Sequence, residues 1–449
     1  MDFLSNIINY ILDMGASVFM PLLMFVIGIM MKMKPKDAFK AGLTIGIAFT
    51  GMSLLIDYMG STMGGAAQAM SKNTGITLPA VDIGWPGAAS ITWAWPLAFL
   101  VFPLQIVINI VMLVTKQTKT LNVDLWNVWN KIFSAVLVSY FTDNVLLGFV
   151  AASILIFLEL KIGDVWQPEI EKLTGIPNVT VPHFITLFAV IMYPVDELLK
   201  KIPFLRKELN ANAIREKIGI FGENSVMGAI IGLGLGILAG YGIKESLILS
   251  VQAATALTLF PMVSKLFSEA LSPISEAVSD FMKRKYGQDS NIFIGLDWPI
   301  LGGRSELWVS VIITIPFLLL FSLILPGNKI LPFAGIINLS FVVAALLLTN
   351  GNVIRMIIHG ILTAPIFLYG ATYFAPYMTR LAKETHTLAE GQHMIGWSTF
   401  EGPIIRYLLV NGFRGDVIAI IGFVIFIALF ILLIKNRKKF NLKLEKENR

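Results

Sequence analysis

The sequence is poor in charge and has no cysteine at all. None of its 449 residues is a cysteine, so disulfide bonds, thiolate metal sites and a cysteine nucleophile are excluded. Only 14% of the residues are charged and 56% are hydrophobic, which is far from the balance of a soluble globular chain. This composition excludes an ordinary soluble enzyme and indicates a protein of the lipid bilayer.

Histidine is scarce as well. The four histidines are His183, His359, His386 and His393, and no two of them have the spacing of a zinc site. We therefore expect no metal and no other cofactor, and we expect no nucleic acid among the partners. The first residues carry no cationic segment ahead of an apolar run, so we expect no cleavable signal peptide.

What the sequence has instead is a series of long apolar runs. A helix needs roughly 20 consecutive apolar residues to cross a bilayer. Hydropathy predicts about eleven such spans, and the predicted fold class is an all-α integral membrane protein. The predicted spans are residues 11–31, 41–56, 95–114, 132–158, a run entered at His183, 225–239, 246–263, 307–325, 330–348, 353–373 and 417–434.

Lysine and arginine gather in five clusters between these runs. Because such clusters accumulate on the cytoplasmic side, they set the orientation of the chain. With all five in the cytoplasm, eleven spans alternate, the N-terminus lies outside, the C-terminus lies inside, and the connection 159–182 lies outside. The clusters are residues 32–40 (KMKPKDAFK), 115–119 (TKQTK), 200–217, 282–285 (MKRK) and 435–440 (KNRKKF).

The two halves of the chain repeat one order of segments. Residues 1–205 and residues 206–375 each give two spans, an interrupted stretch with Asp, Trp and Pro, and three further spans. Five is an odd number, so the halves must cross the membrane in opposite directions, and inverted repeats of this kind are typical of transporters. Residues 376–449 then hold an outer loop, the last span and a basic cytoplasmic tail.

The interrupted stretches are VDIGWPG (81–87) and IGLDWP (294–299). We predict broken helices or re-entrant hairpins here, because Gly, Pro and short polar residues break an apolar pattern. Free backbone groups and the carboxylates of Asp82 and Asp297 would then bind a polar substrate, since ionisable groups at membrane depth are usually functional. The alternative is a pair of surface loops in which each Asp caps a helix.

Several longer motifs together resemble one family. They are KAGLTIGIAFTGM (40–52), VDIGWPGAASITWA (81–94), NVDLWNVWN (122–130), KIGIFGENSVMG (217–228), GILAGYGIKE (236–245), IGLDWPILGG (294–303) and LILPGNKILPFAG (323–335). With these motifs, in order along nearly the whole chain, the sequence resembles the galactitol-type membrane (IIC) component of the bacterial phosphoenolpyruvate-dependent sugar phosphotransferase system. The ascorbate-type components are related to that family.

The resemblance implies a homodimer of eleven-span chains in the bacterial plasma membrane, with a transport domain that moves against a dimerising domain like an elevator. It also implies cognate A and B proteins that carry the phosphoryl group, the donor being a phosphocysteine on the B protein. The substrate would be a sugar alcohol whose hydroxyl group is the nucleophile. The lack of cysteine in this chain fits a subunit that only positions this hydroxyl and supplies no catalytic residue.

A sugar alcohol is neutral and rich in hydroxyl groups, so its site must offer a hydrogen-bonding partner to each buried hydroxyl. We expect Asp297 to accept two hydroxyl protons, and Asn130 and His183 each to offer one donor and one acceptor. Trp93 would stack on an apolar face of the sugar. The other candidate substrate-binding residues are Thr92, Asn127, Glu223 and Asp82.

Structural roles compete with several of these assignments. Trp126 and Trp129 have the character of interfacial belt aromatics as much as of site residues. His183 would equally serve as a satisfied structural group where an apolar helix begins. Glu223 opens a span at the cytoplasmic side, where capping the helix N-terminus is an equal alternative to substrate contact.

Two further patterns admit a static role and a functional one. Arg355 and His359, one helical turn apart, would meet the phosphorylated partner or only anchor at lipid headgroups. Glycines recur at every fourth position of one segment, which suits close helix packing or a surface along which a domain slides. These glycines are Gly228, Gly232, Gly236 and Gly240.

The chief rival function is secondary transport of a small polar organic solute, coupled to protons or sodium. Such a transporter would keep the inverted repeat and would use Asp297 as its ion site.

Overall fold

The structure is a computed structural model that describes residues 16–74, 78–93, 95–122, 124, 126–206, 223–286, 292–332, 339, 341–384 and 394–447. The described chain is mainly helical, which confirms the all-α prediction. Its six strands are each only two or three residues long.

The helices of the first half are α1 (Ala16–Met30), α2 (Pro35–Thr74), α3 (Gly84–Trp93), α4 (Ala98–Val114), α5 (Trp129–Thr142), α6 (Val145–Thr174), α7 (Phe184–Leu187), α8 (Ala189–Leu199) and α9 (Pro203–Arg206). Those that follow are α10 (Asn224–Leu238), α11 (Ile243–Tyr286), α12 (Ser305–Ile324), α13 (Phe341–Thr349), α14 (Val353–Glu384), α15 (Pro403–Phe413) and α16 (Val417–Glu447). The strands are β1 (Ala80–Asp82), β2 (Thr120–Asn122), β3 (Val179–Thr180), β4 (Phe293–Gly295), β5 (Ile330–Leu331) and β6 (Met394–Gly396).

Four of the described helices are long and apolar enough to cross a bilayer. Their apolar segments are Val145–Thr174, Ser305–Ile324, Val353–Glu384 and Val417–Arg437. The segment in α16 is the least covered by the rest of the protein, and Ile418 and Val424 leave 82% and 62% of their surface exposed. Such a continuous exposed apolar surface is the surface that a lipid bilayer covers.

The prediction of one span over residues 132–158 is wrong. Helix α5 ends at Thr142, and Asp143 adopts a left-handed backbone conformation with φ of 50°. The Asn144 side chain then accepts the backbone N–H groups of Leu146 and Leu147 and so caps α6. The two helices pack against each other as a hairpin, because the polar turn reverses the chain inside a run that hydropathy averages as continuous.

The prediction of a span over residues 330–348 is also wrong. The run begins with strand β5, and the helix described in its second part, α13, has only nine residues. Nine residues rise about 14 Å, less than half the thickness of the hydrocarbon core. All nine are buried, and Asn350 and Gly351 end the helix with φ angles of 54° and 79°.

The sequence analysis placed the connection 159–182 on the opposite side of the membrane from the basic loop 115–119. In the structure the two segments are in contact. The connection is helical as far as Thr174, and Lys161 Nζ donates a hydrogen bond of 2.7 Å to the backbone oxygen of Gln117. Asp164 Oδ1 accepts the backbone N–H of Lys119 at 3.0 Å. The error has the same cause as the missed hairpin, because the chain reverses at Asp143 and Asn144, inside the predicted span 132–158, and α6 runs back alongside α5.

Two small parallel sheets hold the interrupted segments. Their strand orders are β5-β1-β6 and β2-β4-β3. In the first sheet Val81 pairs with Leu331 and Ile395, and in the second Ile294 pairs with Leu121 and Val179. The central strand β1 is therefore flanked by two strands from much later in the chain, and the central strand β4 is flanked by two strands from much earlier in it.

The glycines of α10 pack against α11. A Cβ atom at Gly232 would lie 2.5 Å from the backbone oxygen of Leu249, and one at Gly236 would lie 2.8 Å from Ser246. Gly240 instead ends the helix with φ of 70°. The first three glycines thus permit close approach of two helices, while a sliding role stays a prediction.

We expect Gly232→Ala to destabilise the protein by about 1–3 kcal/mol, because the added methyl group overlaps the α11 backbone. Gly234→Ala is the matched control on the same helix, since nothing lies within 4 Å of a Cβ atom there. The measurement is the midpoint of thermal unfolding of each purified variant in detergent. Equal midpoints for the two variants would contradict close packing of α10 on α11.

Candidate functional site

Polar side chains follow each strand of the β2-β4-β3 sheet. Asp124 lies two residues after β2, Asp297 lies two residues after β4, and His183 lies three residues after β3. Because the strands are parallel, their carboxyl ends meet at one edge of the sheet. Three segments that are distant in sequence therefore bring their side chains together at that edge.

These three side chains form a compact cluster. His183 Nε2 lies 3.8 Å from Asp297 Oδ1. One potential ligand atom from each of Asp124, His183 and Asp297 lies within 4.8 Å of the other two. Asp124 and His183 are buried, and Asp297 keeps 15% of its side chain exposed. These groups would coordinate a cation, and they are equally the acceptors and donors that a molecule with several hydroxyl groups needs.

Local backbone contacts hold Asp297 and His183 in place. Asp297 Oδ1 accepts the N–H of Trp298 at 2.6 Å and so caps the 3-10 helix Trp298–Leu301. His183 Nδ1 accepts the N–H of Ile185 at 3.1 Å and caps α7. Because Nδ1 accepts, a neutral His183 carries its proton on Nε2, the nitrogen that points to Asp297. The predicted helix-capping alternative is thus correct for Asp297, but inside the protein rather than in a surface loop.

Asp124 is a member of this cluster that the sequence analysis missed. Asn127 Nδ2 donates to Asp124 Oδ2 at 2.7 Å, and the backbone N–H of Asn127 donates to Asp124 Oδ1 at 3.3 Å. Trp129 Nε1 donates to Asn127 Oδ1 at 3.3 Å. The feature that could have identified Asp124 is its position two residues after a short strand, which is also the position of Asp297. The predicted amide Asn127 therefore lies beside this cluster, oriented by an acid and an indole.

Trp129 is not an interfacial aromatic. Its side chain is 1% exposed, and its ring centroid lies 5.5 Å from that of Trp397. The side chains of Trp126 and of the predicted stacking residue Trp93 lie outside the described part of the structure.

Asn130 is held by a buried arginine that the sequence analysis also missed. Arg406 Nη2 donates to Asn130 Oδ1 at 2.7 Å, and Arg406 Nε donates to Ser134 Oγ at 3.1 Å. The guanidinium carbon lies 4.5 Å from the ring centroid of Phe184 and 4.8 Å from that of Phe400. Arg406 belongs to α15, which lies within the part of residues 376–449 that was predicted to be only an outer loop, so nothing nearby marked it as internal.

A second buried pair supports the same region. Lys131 Nζ lies 2.5 Å from Glu159 Oε2, and both side chains are 1% exposed. Lys131 also donates to the backbone oxygen of Asn127 at 3.3 Å. Ionisable groups at this depth are costly unless they are paired, so α6 and the start of α5 are held together beside the cluster.

The other predicted site residues have different surroundings. Asp82 is buried, and its carboxylate accepts the N–H of Gly84 at 3.0 Å and the N–H of Ser398 at 3.1 Å. Thr92 Oγ1 donates to the backbone oxygen of Ala88 at 2.6 Å within α3. Glu223 occupies the N-cap position of α10 without a side-chain hydrogen bond to that helix.

Arg355 and His359 are internal, so neither of their predicted surface roles is correct. Arg355 Nη1 makes a bidentate contact with Asp196, at 2.8 and 2.9 Å, and His359 Nε2 lies 3.3 Å from Asp196 Oδ1. Asp196 is fully buried, and His359 is 1% exposed. The contacts among Asp196, Arg355 and His359 join α8 to α14.

The sequence pattern of the EIIC-GAT family, described as the sugar-specific permease component of the PTS system, matches residues 10–391. The chain belongs to this family. The permease is 34% identical over 430 residues to the galactitol-specific EIIC component of the PTS system of Escherichia coli strain K12, covering 95% of this chain and 94% of the relative. It is 30% identical over 436 residues to a putative permease IIC component of the same strain, covering 94% and 98%.

In this permease we expect Arg406→Gln to lower the stability by about 3–5 kcal/mol, because it removes the donors that satisfy Asn130 and Ser134 in a buried site. Arg414→Gln is the control, since Arg414 is exposed on the turn after the same helix. Thermal unfolding in detergent measures both. An Arg406→Gln variant as stable as the control would show that the buried guanidinium does not hold this region together.

Proposed function

We propose that the permease binds a neutral sugar alcohol of the galactitol type from outside and presents it inside for phosphorylation by the phosphorylated B component. The observation that carries this proposal is the cluster of Asp124, His183 and Asp297 at the shared edge of three strands. Membership of the sugar-specific permease family and the galactitol-specific relative support the same substrate class.

The chemistry of the cluster suits a chain of hydroxyl groups. The carboxylates of Asp124 and Asp297 accept hydroxyl protons, while His183 Nε2 and the Asn127 amide donate to hydroxyl oxygens. Each unpaired buried hydroxyl costs on the order of 1–3 kcal/mol, so a dense set of acceptors and donors is what removes a polyol from water. Because the ligand is neutral, no fixed cation is needed beside it.

Further predicted residues would complete the site from its edges. Asn130 Oδ1 is used by Arg406, and Asn130 Nδ2 lies beside the buried carboxyl group of Glu401, so a hydrogen bond from Asn130 to a hydroxyl group stays a prediction. Asp82 would act indirectly by joining β1 to the segment after β6. Contacts to Thr92, Trp93 and Glu223 stay predictions.

We propose that the two halves form an inverted repeat. The register of the sheets supports it, because Val81 and Ile294 occupy equivalent central positions and Trp85 and Trp298 each follow four residues later. Among the described residues, both halves also run as two helices, a strand, a short helix of ten or four residues, a longer helix, a strand, two packed helices and a strand, followed by at least one short helix. By this correspondence the second repeat continues through α15, past the boundary predicted at residue 375, and α16 is the additional helix.

We propose an elevator-like motion and a homodimer, as the family resemblance implies. Helices α1, α2, α10 and α11 pack on one another, which supports their role as the dimerising domain. Helix α11 also contacts β4 and the 3-10 helix after it, so the strand that carries Asp297 borders this group. The remaining helices and both sheets would move as the transport domain.

We propose that the C-terminus is cytoplasmic and the N-terminus external. Three basic clusters share one end of the described structure, which supports this orientation. Lys119 and Arg437 line one cavity, Asn436 Nδ2 donates to the Tyr193 hydroxyl at 2.5 Å, and Lys200 follows directly after the helix that contains Tyr193.

Phosphorylation would make transport one-way. The cysteine-free permease would hold the hydroxyl group while the B component supplies the phosphoryl group. The phosphorylated product is an anion, and the carboxylates of Asp124 and Asp297 repel it. Its affinity therefore falls at the moment when it faces the cytoplasm.

The central experiment uses the full-length protein in vesicles with labelled polyol and purified B component. We expect the polyol to accumulate as its phosphate, and only when the B component is phosphorylated. Accumulation of free solute driven by a pH or sodium gradient would instead establish ion-coupled secondary transport and overturn the proposal.

We expect Asp297→Asn and His183→Ala each to weaken polyol binding at least tenfold, because each removes charge-assisted or direct hydrogen bonds to hydroxyl groups. Binding is measured by titration calorimetry on the purified protein, with size exclusion to check assembly. Glu197→Gln is the control, since Glu197 is 47% exposed on α8. A site variant that assembles and binds normally removes that residue from the site.

A further inference from the structure

A cavity of about 320 Å³ lies at the other end of the β2-β4-β3 sheet from the cluster. Lys119, just before β2, and Phe293, the first residue of β4, both line it. Lys161 of α6 and Arg437 of α16 complete its walls. Four segments that are far apart in sequence therefore build one cavity.

The walls of this cavity carry an excess of positive charge. Among the described residues that line it, Lys116, Lys119, Lys161 and Arg437 are cationic, and Asp164 is the single carboxylate. Arg437 is paired with Glu169 at 2.5 Å. None of the three lysines lies within 4.0 Å of a carboxylate among the described residues. Lys161 is the one that interacts electrostatically with Asp164, and Lys119 Nζ lies 5.8 Å from the ring centroid of Phe293, so the cations of the wall outnumber its carboxylate.

The carboxylate of Asp164 accepts hydrogen bonds from neighbouring residues at the cavity wall. Its Oδ1 accepts hydrogen bonds from Thr118 Oγ1 at 2.9 Å, from the Lys119 backbone at 3.0 Å and from Thr120 Oγ1 at 2.9 Å. Lys161 Nζ donates one hydrogen bond of 2.7 Å to the Gln117 backbone oxygen. This network fixes the loop 115–119 over the cavity with its lysine side chains around the rim.

We propose that this cavity is a binding site for a phosphate group. A phosphate ester carries close to two negative charges and several acceptor oxygens, which match the three lysines of the wall. The volume is in the range of small-ligand pockets, and Val165, Phe293 and Ile434 would contact the carbon atoms next to the phosphate. A soluble phosphate ester and an anionic lipid headgroup present this same chemistry.

The position of the cavity suggests that a bound phosphate affects the polyol site, and this step rests on the proposed function. Strands β2 and β4 run from the cavity to Asp124 and Asp297, about 15 Å along the chain at roughly 3.3 Å per residue. A phosphorylated sugar alcohol bound in the cavity would contact the ends of the strands that also position the polyol site. The concentration of the product would then change the affinity for the polyol.

The test measures phosphate binding to the full-length protein in phosphatidylcholine nanodiscs by titration calorimetry at low ionic strength. The probes are inorganic phosphate and a hexitol phosphate. We expect saturable binding that the double variant Lys116→Gln/Lys119→Gln weakens at least tenfold. Both lysines are exposed, so this variant should fold, and equal thermal midpoints verify it. Lys161→Gln is a second, independent variant of the same wall.

The matched control is Lys265→Gln, which removes a lysine with 77% exposure on α11, away from the cavity. Nanodiscs that contain phosphatidylglycerol identify the source of the phosphate. If the headgroup is the ligand, these nanodiscs suppress binding of the soluble probes to the wild type, and the double variant loses its preference for this lipid. Either source supports the phosphate site.

Three results would overturn it: no saturable binding of either probe or of phosphatidylglycerol, equal binding by the double variant, or binding only of a phosphorylated partner protein. Polyol binding is measured on the same samples. Its loss with phosphate binding intact would refute the proposed substrate and not the phosphate site, whereas polyol affinity that ignores bound hexitol phosphate would refute only the link between the two sites.

Discussion

Backbone groups that leave a helix inside a membrane must still find hydrogen-bonding partners, and this requirement shapes the whole permease. The residues that carry the site follow strands of two or three residues, where the chain is not helical. Among the described residues, those strands pair with strands from distant parts of the chain, since β4 lies between β2 and β3 and β1 lies between β5 and β6. Each sheet therefore combines strands from before and after residue 206, and the candidate site lies where such strands meet.

Buried ion pairs connect the helices, as strand pairing connects the interrupted segments. Lys131 pairs with Glu159, Arg355 pairs with Asp196, and Arg437 pairs with Glu169. The first pair joins the two helices of the α5–α6 hairpin, and the other two join helices that are far apart in sequence. The net stability of such pairs is small, since desolvation offsets the attraction, but an unpaired partner would be strongly unfavourable. They therefore favour one arrangement of helices over its competitors, which is what a site assembled from three strand ends requires.

The two ends of the β2-β4-β3 sheet have opposite chemistry. Its carboxyl ends present Asp124 and Asp297, which suit neutral hydroxyl groups and repel anions. Its amino ends lie beside Lys119 and the other cations of the cavity, which suit anions. A substrate and its phosphorylated form would thus be distinguished across only a few residues of strand, because phosphorylation changes the charge of the ligand and little else.

The sequence by itself determined the class of the protein, its family and the chemical type of its central residues. Composition excluded a soluble chain, and the motifs around Asp297 and His183 pointed to residues that the structure does bring together. These conclusions succeeded because they depend on local composition and on short motifs.

Only the tertiary structure decided what the long-range contacts supply. Asp124 and Arg406 were missed because their roles depend on partners that are distant in sequence, His183 and Asp297 for Asp124 and Asn130 for Arg406. The spans predicted over 132–158 and 330–348 failed because average hydropathy cannot sense a polar turn or a strand inside an apolar run. The pairing of strands from distant segments uses backbone groups, and these groups are the same in every residue but proline. No pattern of side chains therefore predicts it.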